Sequence, residues 1–305
     1  MNEKLIVVAE NILYENLGVR KNTKILLVND HEPNTIFEAF KSALNKKSIP
    51  FSELILTNER THSQPIPQAL EEILKAKVII APTEKSISHC PETAKVIKKG
   101  TKVITMPGVT EEIFLKIGET NTKEIEKLNN KVAKQLRGKS KVQITTPSGT
   151  NITFSIKKRE LHGLKPKTKG YLTNLPTGEV YCAPIEETAD GEIFIDYYRE
   201  LIKPEDKAWL KIDMGKIDEW NDAAKPFIEI HSVENGFIIA EFGVGTNKAH
   251  KKPIGNILHD EKCYGTVHIA FGHNVSFGGK NKSTVHSDII LMNPTVLVDG
   301  KKLEW

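Results

Sequence analysis

Three residues near the C-terminus have the types and spacing to hold a metal ion. His268 sits inside Gly265-Thr-Val-His-Ile-Ala-Phe-Gly272, and the pair His286-Ser-Asp288 follows soon after. Neutral imidazole is the commonest metal-ligating side chain, and a carboxylate adds charge and a hard oxygen. On a strand, residues i and i+2 share a face, so His286 and Asp288 can aim at one point, and a neighbouring strand could add His268. Taken alone, the same pattern also fits two core histidines and a turn-capping aspartate. Two glutamates shift the balance. Glu179 enters a strand directly behind Asn174-Leu-Pro-Thr-Gly178, and Glu241 lies where the apolar run Phe237-Ile-Ile-Ala meets the turn Gly243-Val-Gly-Thr-Asn247. An acid in such a setting is costly unless it is paired, hydrogen-bonded or ligating. Glu179, Glu241, His268, His286 and Asp288 form an oxygen–nitrogen set suited to zinc, manganese, iron or cobalt.

The elements that must position this set divide the chain in two. At 305 residues the length exceeds the usual single domain. In the N-terminal part, short apolar runs alternate with helical spacing. Lys24–Val28, Phe51–Leu56, Lys77–Ala81 and Val103–Thr105 read as strands, and residues 3–17, 35–44, 66–74 and 91–98 as helices. That alternation predicts βαβ units and a doubly wound, mostly parallel sheet. A charged helical stretch, Glu111–Gly138, reads as the bridge. Beyond it the texture changes to short alternating runs: Val142–Thr146 and Asn151–Ile156 about a Pro-Ser-Gly turn, then Ile193–Tyr197, Phe227–His231, Gly236–Phe242, Thr266–Phe271, Asp288–Leu291 and Thr295–Val298. The fold class is therefore α/β: an N-terminal α/β domain over 1–138 and a C-terminal strand-rich α+β metal-binding domain over 139–305.

Composition sets limits. A hydrophobic content of 39% with 27% charged residues is that of a globular protein with a sizeable core. A formal net charge of +4 makes no case for nucleic acid or a membrane surface as partner. Cys90, Cys182 and Cys263 are odd in number and lack CxxC spacing, which points to a reducing compartment. The N-terminal stretch does not read as a signal peptide, and the expected location is cytoplasmic. No GxGxxG or GxxxxGK[ST] follows the first strand, so the simplest dinucleotide and NTP readings fall away. Asp30, His31 and Glu32 form an acid–histidine cluster after the first strand, which polar turn chemistry explains as well as a metal would. The basic stretch Arg137–Lys141 reads as a solvated linker.

In order along the chain, several stretches resemble the aminopeptidase T and aminopeptidase S metallopeptidases. They are Ser88-His-Cys-Pro-Glu-Thr93, Met106-Pro-Gly108, Pro147-Ser-Gly-Thr150, Asn174-Leu-Pro-Thr-Gly-Glu179, Glu241-Phe-Gly-Val-Gly-Thr-Asn247, Asp260-Glu-Lys262, Gly265–Gly272 and His286-Ser-Asp288. The resemblance implies an N-terminal α/β domain, a C-terminal domain with two close divalent metals, and a homodimer. Its metal ligands would be Glu179, Glu241, His268, His286 and Asp288, and its cofactor zinc, cobalt or manganese. The implied activity is removal of N-terminal residues from short peptides by metal-activated water. Glu186 and Glu187 would then be candidates for the general base. The family places a tyrosine at the position held here by Val275. The chain is also similar to 2,5-dihydroxypyridine 5,6-dioxygenase, whose single ferrous iron would take His268, His286 and Asp288 as a facial triad and a small molecule as substrate. A non-catalytic protein on a retired scaffold would be expected to lose some of these ligands, and all five are present.

Overall fold

A computed structural model describes residues 2–62, 64–164 and 169–305. It divides the chain into two compact units, Met1–Thr120 with Lys165–Pro176, and Asn121–Leu164 with Thr177–Trp305. In chain order the elements are α1 (Glu3–Glu10), β1 (Ile25–Asn29), α2 (Thr35–Lys46), β2 (Phe51–Ile55), α3 (Leu70–Lys75), β3 (Val78–Ala81), α4 (Pro91–Lys98), β4 (Lys102–Thr105), α5 (Glu111–Glu119), α6 (Thr122–Leu136), β5 (Lys141–Thr145), β6 (Asn151–Ser155) and β7 (Tyr171–Asn174). They continue with β8 (Glu179–Cys182), β9 (Asp190–Ile195), β10 (Ala208–Asp213), β11 (Lys216–Trp220), α7 (Lys225–His231), β12 (Ile239–Gly245), α8 (Ile257–Asp260), β13 (Val267–Gly272), β14 (His286–Leu291), β15 (Thr295–Val298) and β16 (Lys301–Lys302).

The first unit is the expected doubly wound domain. Its sheet runs β2-β1-β3-β4-β7 with every pairing parallel. The central strands β1 and β3 are buried along their whole length, as a sheet covered on both faces requires. Asn34 caps α2 by accepting from the Phe37 N–H, and Pro91 opens α4. The acid–histidine cluster after β1 is structural. Buried Asp30 accepts from the Glu84 and Lys85 N–H groups, at 2.7 and 2.9 Å, and pairs with buried Arg60 at 2.9 Å. Those contacts tie the β1 loop to the β3 loop at the switch point of the sheet, where such folds usually open for ligands.

Two readings of the sequence change here. The bridging helix is two helices: α5 ends at Glu119, and Asn121 caps α6 by accepting from the Glu124 N–H. The first chain crossing falls at Thr120/Asn121 rather than near 138, and α6 belongs to the second unit. A later segment returns to the first unit because β7 extends its sheet parallel to β4. That pairing spans a long loop, and local pattern carries no sign of it.

The second unit is strand-rich, with two sheets ordered β11-β10-β9-β6-β5-β15-β16 and β14-β13-β12-β8. One core lies between them, with Ile152, Phe154, Ile193 and Leu210 from the larger sheet and Val180, Phe242, Ile269 and Ile289 from the smaller. Phe154 and Phe242 meet across it at 5.2 Å between ring centroids. The expected strand Phe227–His231 is instead helix α7. Its buried residues Phe227, Ile228 and His231 follow the i, i+1, i+4 spacing of a helix face, and Pro226 sits in the first turn, where a missing N–H costs nothing. Asp299-Gly300 makes the expected β15–β16 turn, with φ of 48° and 78°. Among the described residues no helix is long and apolar enough to cross a membrane.

Candidate metal centre

The four-stranded sheet buries one face and carries chemistry on the other. Register pairs Gly245 with Glu179, Gly243 with Tyr181 and His268, Glu241 with Ala270, Ala270 with Asp288, and Gly272 with His286. Strand alternation then puts Glu179, Glu241, His268, His286 and Asp288 on a single face, opposite Val180, Phe242, Ile269 and Ile289. A bulge in β12 between Ile239 and Glu241 breaks the alternation just before the site. Without it these two residues would share a face; with it Glu241 keeps the face of Gly243 and Gly245 while Ile239 enters the core. Gly243 leaves room for the His268 ring directly above it. Helix α6 fixes the edge: Asn129 donates to the carbonyls of Glu179 (3.0 Å) and Gly163 (2.6 Å).

Glu241 lies between the two imidazoles. Its Oε1 is 3.4 Å from His268 Nε2 and its Oε2 is 3.4 Å from His286 Nε2. His268 Nε2 is also 3.3 Å from Glu179 Oε2, and His286 Nε2 is 4.0 Å from Asp288 Oδ2. Bonds of about 2.0–2.2 Å to one ion place neighbouring ligand atoms about 3–3.5 Å apart, so most of these separations are those of a coordination shell. Two groups result, Glu179–Glu241–His268 and Glu241–His286–Asp288, each with ligand atoms within 4.8 Å of one another. Either can hold a divalent ion. His286 donates from Nδ1 to the His273 carbonyl at 2.7 Å, which turns Nε2 toward Glu241. Buried Asp288 Oδ1 and His268 Nε2 find no hydrogen bond of good geometry among the described residues.

The electrostatics fit a cation. Burial alone would raise the Glu241 carboxyl, but His268 and His286 hold it well below the usual range. Burial alone would lower the two imidazoles, yet the surrounding carboxylates push both up to about 9. Three acids facing two imidazoles attract positive charge, which protons or a metal ion can supply.

Two neighbours were not foreseen from sequence. Lys262 is 1% exposed, and its Nζ lies 2.6 Å from Glu179 Oε1 and against Glu261. Burial would lower this amine, but the Glu179 and Glu261 carboxylates raise it, so it stays an ammonium. Lys262 comes from the loop after α8, and no periodicity announces it. Tyr181 follows Glu179 by two positions on the same strand face, a signal that was available. Its phenol is raised well above 10, by burial first and then by Glu241 and Glu179. Tyr181 stacks on His162 at 5.2 Å, Phe277 meets it edge-on at 5.7 Å, and Phe277 meets His286 at 5.7 Å. An aromatic wall thus stands beside the ligands.

Other expected residues lie elsewhere. Val275 is 41% exposed, so no ligand replaces the tyrosine from that position. Glu186 is spent on an ion pair with Arg159 and accepts from the Lys280 N–H at 2.6 Å. Burial would raise its carboxyl, but hydrogen bonds from its own N–H and that of Lys280, with Arg159, keep it low. Glu187 is an exposed turn residue with φ 63°. Neither belongs to either ligand group.

The acid–imidazole cluster on one sheet face of the second unit is a candidate metal centre. The family profile NicX, 2,5-dihydroxypyridine 5,6-dioxygenase, matches residues 35–303, and the chain belongs to that family. It shares its fold with 2,5-dihydroxypyridine dioxygenase from Pseudomonas putida KT2440, with a TM-score of 0.79 at 16% identity over 99% of this chain and 95% of that one. AmpT from Thermus thermophilus, an aminopeptidase T, matches with a TM-score of 0.67 at 16% identity over 98% and 96%. No curated protein matches by sequence. The family and both solved relatives are enzymes.

Proposed function

We propose that the protein is a mononuclear non-haem iron(II) dioxygenase acting on a small hydroxylated heteroaromatic ring of the 2,5-dihydroxypyridine type. The observation that carries this reading is the pairing of Lys262 with Glu179. A fixed ammonium already neutralises one carboxylate of the Glu179–Glu241–His268 group, which favours a single metal over two. Glu241, His286 and Asp288, whose ligand atoms lie within 4.8 Å of one another, would hold the iron, and His268, grouped with Glu179 and Glu241, would have to shift toward them to complete the triad read from the sequence. Bound there, ferrous iron would supply the activation of dioxygen. The wall of Tyr181, His162 and Phe277 offers flat apolar surface for a planar ring. Family membership supports the same assignment.

A second reading, metal-dependent aminopeptidase, is favoured by one specific feature. Glu241 presents one oxygen to each imidazole, as a carboxylate bridging two metals would. Protein reconstituted anaerobically with ferrous iron decides between them. The dioxygenase reading expects one iron per chain, a nitric oxide adduct with the spin signature of a single iron, and oxygen uptake with 2,5-dihydroxypyridine. Two metals per chain that both depend on the sheet-face ligands, together with oxygen-independent release of leucine from a Leu-starting peptide, would overturn it.

A further inference from the structure

A second cluster of ligand-type side chains lies just before β13, separate from the sheet-face centre. His250, His259, Asp260 and Cys263 are each at most 1% exposed. His259, Asp260 and Cys263 each offer a ligand atom within 4.8 Å of the other two. His259 Nδ1 is 2.9 Å from Asp260 Oδ1 and 3.7 Å from Cys263 Sγ. Zn–S and Zn–N bonds of about 2.3 and 2.0–2.1 Å at a tetrahedral angle put sulfur and nitrogen about 3.5 Å apart, close to that separation. The His250 ring lies against the His259 ring with 4.1 Å between centroids, which brings a second imidazole to the cluster.

We infer that His259, Asp260 and Cys263 form a structural cation site for zinc or another thiolate-preferring ion. Asp260 is preset for it. Its two oxygens accept from the Ile254 and Gly255 N–H groups at 2.8 and 2.9 Å, which fixes the carboxylate while leaving it lone pairs. One thiolate and one carboxylate together match the charge of a divalent ion. A sulfur ligand selects zinc over magnesium, calcium or manganese, whereas the sheet-face set has only oxygen and nitrogen donors. Glu261 and Lys262 fall between the ligands, so an ion here clamps the loop that delivers Lys262 to Glu179. The inference stands whichever chemistry the sheet-face centre performs.

Cobalt is the probe, because thiolate ligation adds a sulfur-to-cobalt charge-transfer band that oxygen and nitrogen ligands do not. The His268→Ala/His286→Ala double variant removes the imidazole from each sheet-face group and so disables the first centre. It is expected to keep one cobalt or zinc per chain with the thiolate band, and a mercurial thiol reagent should release that ion. Cys263→Ser should lose both the band and one equivalent of metal. Should a variant fail to fold, the cobalt-loaded unaltered chain still decides, because absence of the thiolate band from it overturns the site. Persistence of the band in Cys263→Ser does so equally.

Discussion

The imidazole of His268 rests on Gly243: a Cβ at that glycine would stand 1.9 Å from His268 Nε2. The nitrogen that faces Glu179 and Glu241 therefore occupies the space where any other residue would carry its side chain. Gly243→Ala should push the ring aside while leaving the core face of β12 intact. Metal affinity should fall by about 10- to 100-fold, the range seen when support for a ligand is removed. Competition against a fluorescent chelator measures it. Unchanged affinity would show that His268 is not a ligand.

Lys262 tests the electrostatic balance. With its side chain 1% exposed and flanked by the half-buried Glu179 and Glu261, removing the charge leaves two acids uncompensated. Lys262→Met should lower stability by about 3–5 kcal/mol, read from urea denaturation. The same variant should bind a second divalent ion at the Glu179 group. A folded variant with unchanged stability would show that the Lys262 ammonium does not balance these acids.

The imidazoles of His268 and His286 make stability depend on pH in protein stripped of metal by chelator. Their folded-state values, near 9, exceed the ordinary 6.5. Their contribution is therefore complete below about pH 6.5 and is lost as pH rises through about 9. The urea midpoint should drop across that window, while metal affinity rises across it because metal displaces the protons. A flat midpoint from pH 6 to 9.5 contradicts the arrangement.

His231 has the opposite sign. Burial pushes it down to about 4, against the pull of its hydrogen bond to the Phe227 carbonyl, and its ring stacks on Phe227 at 3.9 Å. Its contribution is present above about pH 6.5 and is lost as pH falls through about 4, amounting to about 3 kcal/mol at 1.36 kcal/mol per unit. His231→Phe should flatten acid sensitivity between pH 4 and 6.5. Equal acid sensitivity in both proteins would assign that loss to other groups.

Val275 is a control. Because the side chain faces solvent, Val275→Tyr should change stability by no more than about 0.5 kcal/mol and should add no peptidase activity. A gain in peptide hydrolysis would mean that the tyrosine reaches the metals after all.

How much of this was legible beforehand differs between elements. The parallel sheet of the first unit could be read from its apolar runs, because strands covered on both faces need nothing but apolar residues. The five ligand-type residues could be read too, since acids and histidines inside strand patterns need a reason to be there. Helix α7 was misread as a strand because a short apolar run suits both states, and only its packing, with Phe227, Ile228 and His231 inward, selects the helix.

What sequence by itself determined is residue chemistry and local period: which side chains can ligate, and that residues two apart on a strand share a face. Tertiary structure decided the rest, because pairing is non-local. The bulge before Glu241 sends Ile239 into the core, where simple alternation would put it on the site face. Register alone brings Glu241 between His268 and His286, which lie on different strands. The approach of Lys262 to Glu179 joins residues 83 apart. Period fixes where a side chain points relative to its own strand; only the folded chain supplies what it points at.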